Sequence, residues 1–470
     1  MQVGSSFAIA ESGYLPSEKF DDDGRIKRTG NWKSATAHII TASIGSGVLS
    51  LAWCFAQLGW IAGSITLALF SVITLFNSIL LTDCYRSPDP VTGSRNYTYM
   101  DAVKSNLGPL QYKLCGLAQY GCLVGITIGY TTTTAISMAA IKKSNCYHNH
   151  GHGADCHVRN NMFMVIFAII QIFLSQVPNF HKLSPISVVA AIMSFSYSLI
   201  GIGLSIAKIT EDGIGKTSPT GMPVGPNFSG MEKMWKTFSA LGDVAFAYSF
   251  CFVLIEIQDT LKSSPPENKQ MKKATVAGIA ASTVFYMLCG VLGYAAFGND
   301  APGNFLTGFG FYDPFWLVDI GNICIVIHLL GAYQVLAQPL FGFVENSSKK
   351  KWQQNKLVTK DFSLCGFDIN MFRFAWRTCY VIVTTIIAMM FPFFNDFVGL
   401  LGALTFWPLS VYFPIEMYIS LAKIRKYSFT WIWMQILSLA CLIVSLVAMI
   451  GSTRGLITSV ESFEPFQSVS

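Results

Sequence analysis

Eleven apolar runs of 17 or more residues divide this chain, near 35–56, 60–84, 114–141, 162–178, 186–207, 238–258, 275–297, 315–344, 374–394, 397–419 and 431–452. About 20 such residues cross the hydrocarbon core of a bilayer as a helix, and in lipid only helices and closed barrels satisfy their own backbone hydrogen bonds. The runs are continuously apolar rather than ten-residue alternations, so they predict an all-α integral membrane protein and not a barrel. Composition agrees. Of 470 residues 52% are hydrophobic and 12% charged, about half the charge of an average soluble domain. A soluble surface cannot be made from so little charge. The same figures exclude a disordered chain and a nucleic-acid binder, and they disfavour a soluble enzyme.

Orientation follows from the basic residues. With the N-terminus in the cytosol, the cytosolic segments hold 24 of the 32 Lys and Arg and the outer segments hold 8. That threefold bias is the one expected when Lys and Arg stay inside. Eleven spans then put the C-terminus outside. Residues 1–30 are polar and no apolar run precedes Ala35, so no cleavable signal peptide is expected. In the outer segments there are two cysteines, Cys146 and Cys156, predicted to share one loop on the oxidising side. A disulfide between them is expected. Three N-x-S/T sequons occur, at Asn96, Asn227 and Asn346. Only Asn227 falls outside, which makes it the glycan candidate.

The first run contains Ser43-Ile44-Gly45-Ser46-Gly47-Val48-Leu49. Two glycines within one turn weaken a helix by about 1 kcal/mol each. A helix broken here exposes backbone polar groups at mid-membrane, and its second half offers N–H groups and a positive dipole to an anion such as a carboxylate. Close helix packing through Ser43 and Gly47 is the other reading of the same spacing. The sixth run holds two acids, Asp243 and Glu256, 13 residues apart. Acids within a membrane are costly and mostly functional or paired. Asp243 reads as the functional candidate near the outer vestibule, and Glu256 as a side chain reaching the inner interface. His38 and His328 lie within runs, where a histidine serves either as a proton relay or as a hydrogen-bonded helix-interface group. In the third run, Thr127 to Thr134 are expected mostly to bond their own backbone, with Tyr130 near a ligand. The segment His148-Asn149-His150-Gly151-His152 has the composition of a metal binder, but no metal site is expected there, since its cysteines are taken up by each other.

Several strings resemble the plant amino acid permeases, within the amino acid/auxin permease family of the amino acid–polyamine–organocation superfamily. They are Gly30-Asn31-Trp32, Ile44 through Trp53, Asp83-Cys84-Tyr85-Arg86 and Ile255 through Leu261, in order along a match from about residue 29 to the C-terminus. The resemblance implies a five-plus-five inverted repeat of the LeuT type with spans 1 and 6 broken. It divides the chain into a cytosolic tail (1–30), a first repeat (31–210), a second repeat (211–420), and an accessory eleventh span with a short extracellular tail (421–470). It implies proton-driven import of amino acids at the plasma membrane by alternating access. The substrate would lie between Ser43, Gly45, Ser46, Gly47 and Val48 of span 1 and Phe246, Ala247, Tyr248 and Ser249 of span 6. Proton-coupling candidates are His38, Asp243 and His328. No cofactor is expected besides the coupling proton, and the protein is expected to work as a monomer in lipid. Span 6 has no glycine at the presumed break, so its unwinding is the weaker expectation. An auxin-type carrier is the nearest alternative. A membrane enzyme would need repeated cytosolic His motifs, and a channel would need pore-lining rings.

Overall fold

The computed structural model describes residues 21, 23–25, 27–151, 153–176, 184–226, 228–309, 314–359, 362–364 and 367–461. Its helices are α1 (Trp32–Ser43), α2 (Leu51–Asp83), α3 (Tyr99–Leu107), α4 (Pro109–His150), α5 (Asn160–Ser175), α6 (Ser184–Asp212), α7 (Gly230–Ala247), α8 (Leu254–Gln258), α9 (Glu267–Phe297), α10 (Phe315–Lys351), α11 (Lys356–Thr359), α12 (Met371–Met390), α13 (Phe394–Thr405), α14 (Phe413–Leu421) and α15 (Phe429–Glu461). Two small hairpins are the described strands, Arg86–Ser87 with Ser94–Arg95 and Phe362–Leu364 with Phe367–Ile369. Glycan candidate Asn227 lies outside the described residues.

Among the described residues nine helices are long and apolar enough to cross a membrane, and Asn160–Ser175 is a shorter apolar one. The expected eleven runs map onto these with one difference of form. Runs one and two share the stretch Ser46–Asp83. Its 38 residues would reach about 57 Å if straight, nearly twice the ~30 Å hydrocarbon core. It turns instead at Gly59, whose φ of 79° favours glycine. A Cβ there would lie 2.2 Å from the backbone nitrogen of Gly221, so the corner abuts the segment between α6 and α7.

The run boundaries were short at several ends. α4 continues to His150, so Cys146 and the first two histidines of the His-rich segment stand on a helix and not in a loop. Polar residues do not end a helix that has left the bilayer, and hydropathy marks only the part in lipid. His148 stacks on Phe315 at the start of α10, ring centroids 3.8 Å apart. No group of three or more His, Cys, Asp or Glu is arranged to hold a metal ion among the described residues. Cys146 and Cys156 are bonded, with Cα atoms 5.8 Å apart. Amphipathic α3 and a π-helical turn at Phe406–Tyr412 between α13 and α14 carry no run of their own.

α2 packs on α9, α10 on α4 and α6, and α7 on α13 and α15. The α7–α13 seam is glycine on glycine. A Cβ on Gly402 would lie 2.1 Å from the Gly242 oxygen, and one on Gly242 would lie 2.3 Å from the Gly399 oxygen. Small residues let helices in a membrane approach to backbone contact, which replaces the hydrophobic drive that lipid does not supply.

Candidate functional site

Two membrane helices are interrupted at facing positions. α1 starts on a capping box, in which Asn31 Oδ1 accepts from the Lys33 and Ser34 amides and Ser34 Oγ accepts from the Asn31 amide. It ends at Ser43, and a tight turn over Ser46–Ser50 leads into α2. The N–H groups of Ser46, Gly47 and Val48 open this second helical run, where the first turn has no intrahelical acceptors. α7 ends at Ala247, and the chain resumes as a turn at Cys251–Val253 and then α8. The break in α7 therefore forms without glycine. Tyr248, Phe250 and Val253 carry φ between −96° and −116° with ψ near zero, the bridge region of turns, which does not require glycine.

Hydroxyls from distant helices satisfy the backbone at both breaks. Tyr286 of α9 donates to the Ser43 oxygen and lies 2.8 Å from the Ala247 oxygen, so one side chain joins the two interruptions. Tyr197 of α6 reaches the oxygens of Ile44 at 3.1 Å and Gly45 at 3.0 Å. Ser194 of α6 donates to the Ile44 oxygen at 2.8 Å. Broken backbone persists in a membrane only with such partners. None of these three residues was singled out from sequence. The signal available was the polar string Ser194-Phe195-Ser196-Tyr197-Ser198 inside an apolar run, and Tyr286 near the middle of another.

The breaks touch at Gly47. A Cβ there would lie 2.9 Å from Ala247 Cα and 3.2 Å from Phe246 Cδ1. At Gly45 a Cβ would lie 3.3 Å from the Tyr130 hydroxyl and 3.8 Å from His328 Nε2. Tyr130 and His328 thus flank the first break, from α4 and α10. Ser43, Ser46, Val48, Ala247 and Tyr248 are buried, Ser249 is nearly so, and Phe246 is half-buried. Tyr248 bonds to Thr283 Oγ1 at 3.1 Å, and Ser249 Oγ returns to the Ala245 oxygen.

The three titratable candidates separate. His328 is fully buried. Its Nδ1 lies 2.9 Å from the Ala190 oxygen and 2.8 Å from Ser194 Oγ. The carbonyl can only accept, so Nδ1 carries a proton, while Nε2, on the side of Gly45, makes no hydrogen bond. Asp243 is also fully buried rather than at an open vestibule. Its Oδ2 lies 3.9 Å from Cys54 Sγ, and Oδ1 makes no hydrogen bond beside Gly399. His38 stays on α1, half-buried, seven residues before Gly45, and is not brought to the breaks. Glu256 is half-buried near the N-terminal strap and meets the start of α3. Its Oε1 accepts from the Tyr99 amide at 3.1 Å and Gln119 Nε2 at 3.4 Å, because the N-terminus of α3 offers a positive end. Thr131, Thr132 and Thr133 bond oxygens four residues back, and Thr127 also meets the Tyr380 hydroxyl.

On the side of the N-terminus the same two helices are strapped together. Gly30 pairs with the chain after α8, its amide on the Thr260 oxygen and its oxygen on the Lys262 amide. Arg28 joins Asp21, Asp23 and Asp259 at 2.8–3.0 Å, and the Tyr85 hydroxyl donates to Asp259 at 2.6 Å. Burial alone would raise the Asp23 carboxyl, but the Arg28 side chain and the Arg25 amide outweigh it and hold it down at about 2.

Two broken membrane helices whose interruptions meet, each completed by hydroxyls from its neighbours, define a multi-pass membrane transporter. Residues 28–458 match the family described as transmembrane amino acid transporter protein. Among its relatives, amino acid permease 6 of Arabidopsis thaliana is 61% identical over 99% of this chain and 98% of its own length. Amino acid permease 8 of the same plant is 58% identical over the full length of both. The solved structure of MhsT in complex with L-phenylalanine is similar in fold, with a TM-score of 0.56 at 10% identity, covering 91% of this chain and 99% of that one. The chain belongs to the transmembrane amino acid transporter family, with an all-α fold of the LeuT type, and it is a transporter rather than an enzyme.

Proposed function

We propose that this protein imports amino acids across the plasma membrane in symport with protons, by alternating access, with the N-terminus in the cytosol and the C-terminus outside. Its relatives are named amino acid permeases, and the positive-inside bias supports the orientation. The α-carboxylate binds the N–H groups of Ser46, Gly47 and Val48, where the helix dipole favours an anion. Ser43 and Gly45 border it, and Tyr130 covers it from α4. The α-ammonium binds the carbonyl side of the α7 break, from Phe246 to Ser249. Both ends of an amino acid are thus read by backbone, so selection among side chains falls to the surrounding residues. Spans 1–5 and 6–10 act as the two inverted repeats, and the protein works as a monomer without a cofactor.

The proton binds at His328. A proton on Nε2 sets a positive charge beside Gly45, next to the Ile44 oxygen that Ser194 holds at the break. Asp243, buried between α2, α7 and α13, is the second candidate. The observation that carries the reading is the pair of breaks joined through Tyr286, with His328 facing Gly45. Counterflow of radiolabelled amino acids in proteoliposomes tests it, since a carrier shows counterflow and a channel or enzyme does not. Indole-3-acetate as the competing solute tests the auxin alternative in the same vesicles.

A further inference from the structure

Trp32 at the start of α1 and Lys272, Lys273, Val276, Ala277 and Ala280 of α9 line an open groove of about 580 Å³. The two helices meet along one edge of it, where Thr36 Oγ1 reaches the Ala274 oxygen and Ile39 packs into Gly278. Beside that seam the α9 side chains shrink to Ala277 and Ala280, and the space between the helices opens toward lipid. One end of the groove is basic. Lys273 is exposed, and so is Lys33, whose ammonium lies 6.0 Å from the Trp32 ring. Lys272 is bound to Asp83 at 2.6 Å, and Asp83 also accepts from Asn268. Three lysines against one carboxylate leave the rim with an excess of two positive charges.

The groove has the polarity profile of a phospholipid. Seven residues separate Lys273 from Ala280, about 10 Å along the helix and a third of the ~30 Å hydrocarbon core. Trp32, 40% exposed, is of the residue type that settles at the headgroup level. We infer that this groove holds an anionic phospholipid of the cytosolic leaflet, with its headgroup at Lys273 and Lys33 and one acyl chain along Val276, Ala277 and Ala280. The leaflet assignment rests on the orientation proposed above. Any lipid would cover the alanines, and the lysines select the anion. The occupant would bridge α1, the first half of the broken span, to α9.

The test uses the full chain purified in detergent micelles doped with phosphatidylserine or phosphatidylcholine, with retained lipid counted by native mass spectrometry. Phosphatidylserine should be retained in preference. Lys273→Gln should weaken its retention about fivefold, and Lys273→Gln with Lys33→Gln roughly 25-fold, at one membrane-surface lysine's worth per charge. Ala280→Leu, on an exposed position, should displace either lipid by filling the floor. Soluble glycerophosphoserine should not compete, because it has no chain. Equal retention of both lipids, unchanged retention in the lysine variants, or full competition by glycerophosphoserine would each overturn the inference. Thermal unfolding and amino acid binding are read on the same samples. A variant that loses lipid while melting and binding substrate like the wild type isolates the groove, and a preparation that keeps lipid but binds no amino acid counts against the transport reading alone.

Discussion

Gly47 is the position where a single carbon does the most to the site. The Cβ of Gly47→Ala would lie 2.9 Å from Ala247 Cα and 3.2 Å from Ala247 Cβ. Carbon atoms settle at about 3.5–4.0 Å, so the nearer contact is short by about 0.6–1.1 Å. The obstructing atoms are backbone and Cβ of the α7 break, which cannot swing aside as the tip of a side chain can. Overpacking of this kind costs about 1–3 kcal/mol, or roughly 5–150-fold in an equilibrium. That cost falls on the arrangement in which the two breaks meet around the substrate. Gly47→Ala should therefore lower uptake by about that factor, and Gly47→Val, with two further methyls and a preference for continuous structure, should abolish it. Gly45→Ala is the control. Its Cβ meets the Tyr130 hydroxyl, the far end of a side chain and not backbone, at 3.3 Å, and the cost should stay below about 1 kcal/mol, within fivefold. The assay is initial-rate uptake of radiolabelled amino acid in yeast lacking its own permeases, normalised to surface protein. Gly47→Val with normal surface expression and unchanged apparent affinity would refute the reasoning, as would Gly45→Ala doing more damage than Gly47→Ala.

Tyr286→Phe keeps the ring and removes the hydroxyl between the breaks; the unsatisfied buried oxygen should cost about 1–3 kcal/mol, read as a fall in thermal stability and in uptake. His328→Gln should keep substrate binding and flatten the pH dependence of uptake; unchanged pH profiles in both His328→Gln and Asp243→Asn would move the proton elsewhere. Removing the Cys146–Cys156 link opens a loop with a sequence separation of 10 and should cost at most about 3 kcal/mol, measured by thermal melts of Cys146→Ser. The Asp23–Arg28 contact, with Asp23 held at about 2 against an ordinary 3.8, contributes its full stability above the ordinary value and loses it as pH falls toward the lower one. Protection factors at residues 27–31, with the intrinsic pH dependence of exchange divided out, should thus be unchanged from neutral pH to about pH 5 and fall below that, and Asp23→Asn should lower them at neutral pH and cease to differ from the wild type once Asp23 is protonated.

The membrane fold was legible because lipid imposes one simple requirement, a long apolar helix, and the sequence meets it repeatedly. The first break was legible for a local reason: Gly45 and Gly47 weaken one turn. The second was legible only through the family resemblance and not from its own residues, because its cause is non-local. Residues 248–250 have no unusual composition, and the Ala247 oxygen is held by Tyr286, 39 residues onward. Ser194 and Tyr197 escaped notice similarly, since a hydroxyl in an apolar run reads as self-bonded until its partner helix is known. His328 and His38 looked equivalent in sequence. The fold separates them, turning one toward Gly45 and leaving the other at the side of α1. Helix ends beyond the apolar stretch, as at His150, are not marked by hydropathy, which measures the lipid and not the helix.

The most direct test of the transport mechanism is purified protein in sealed vesicles with a pH gradient, acidic outside and sodium-free, supplied with a radiolabelled neutral amino acid. The account predicts accumulation inside above the external concentration, collapse of that accumulation on adding a protonophore, and loss of the gradient dependence in His328→Gln with counterflow retained. Equilibration without accumulation, or accumulation that the protonophore leaves intact, would contradict it.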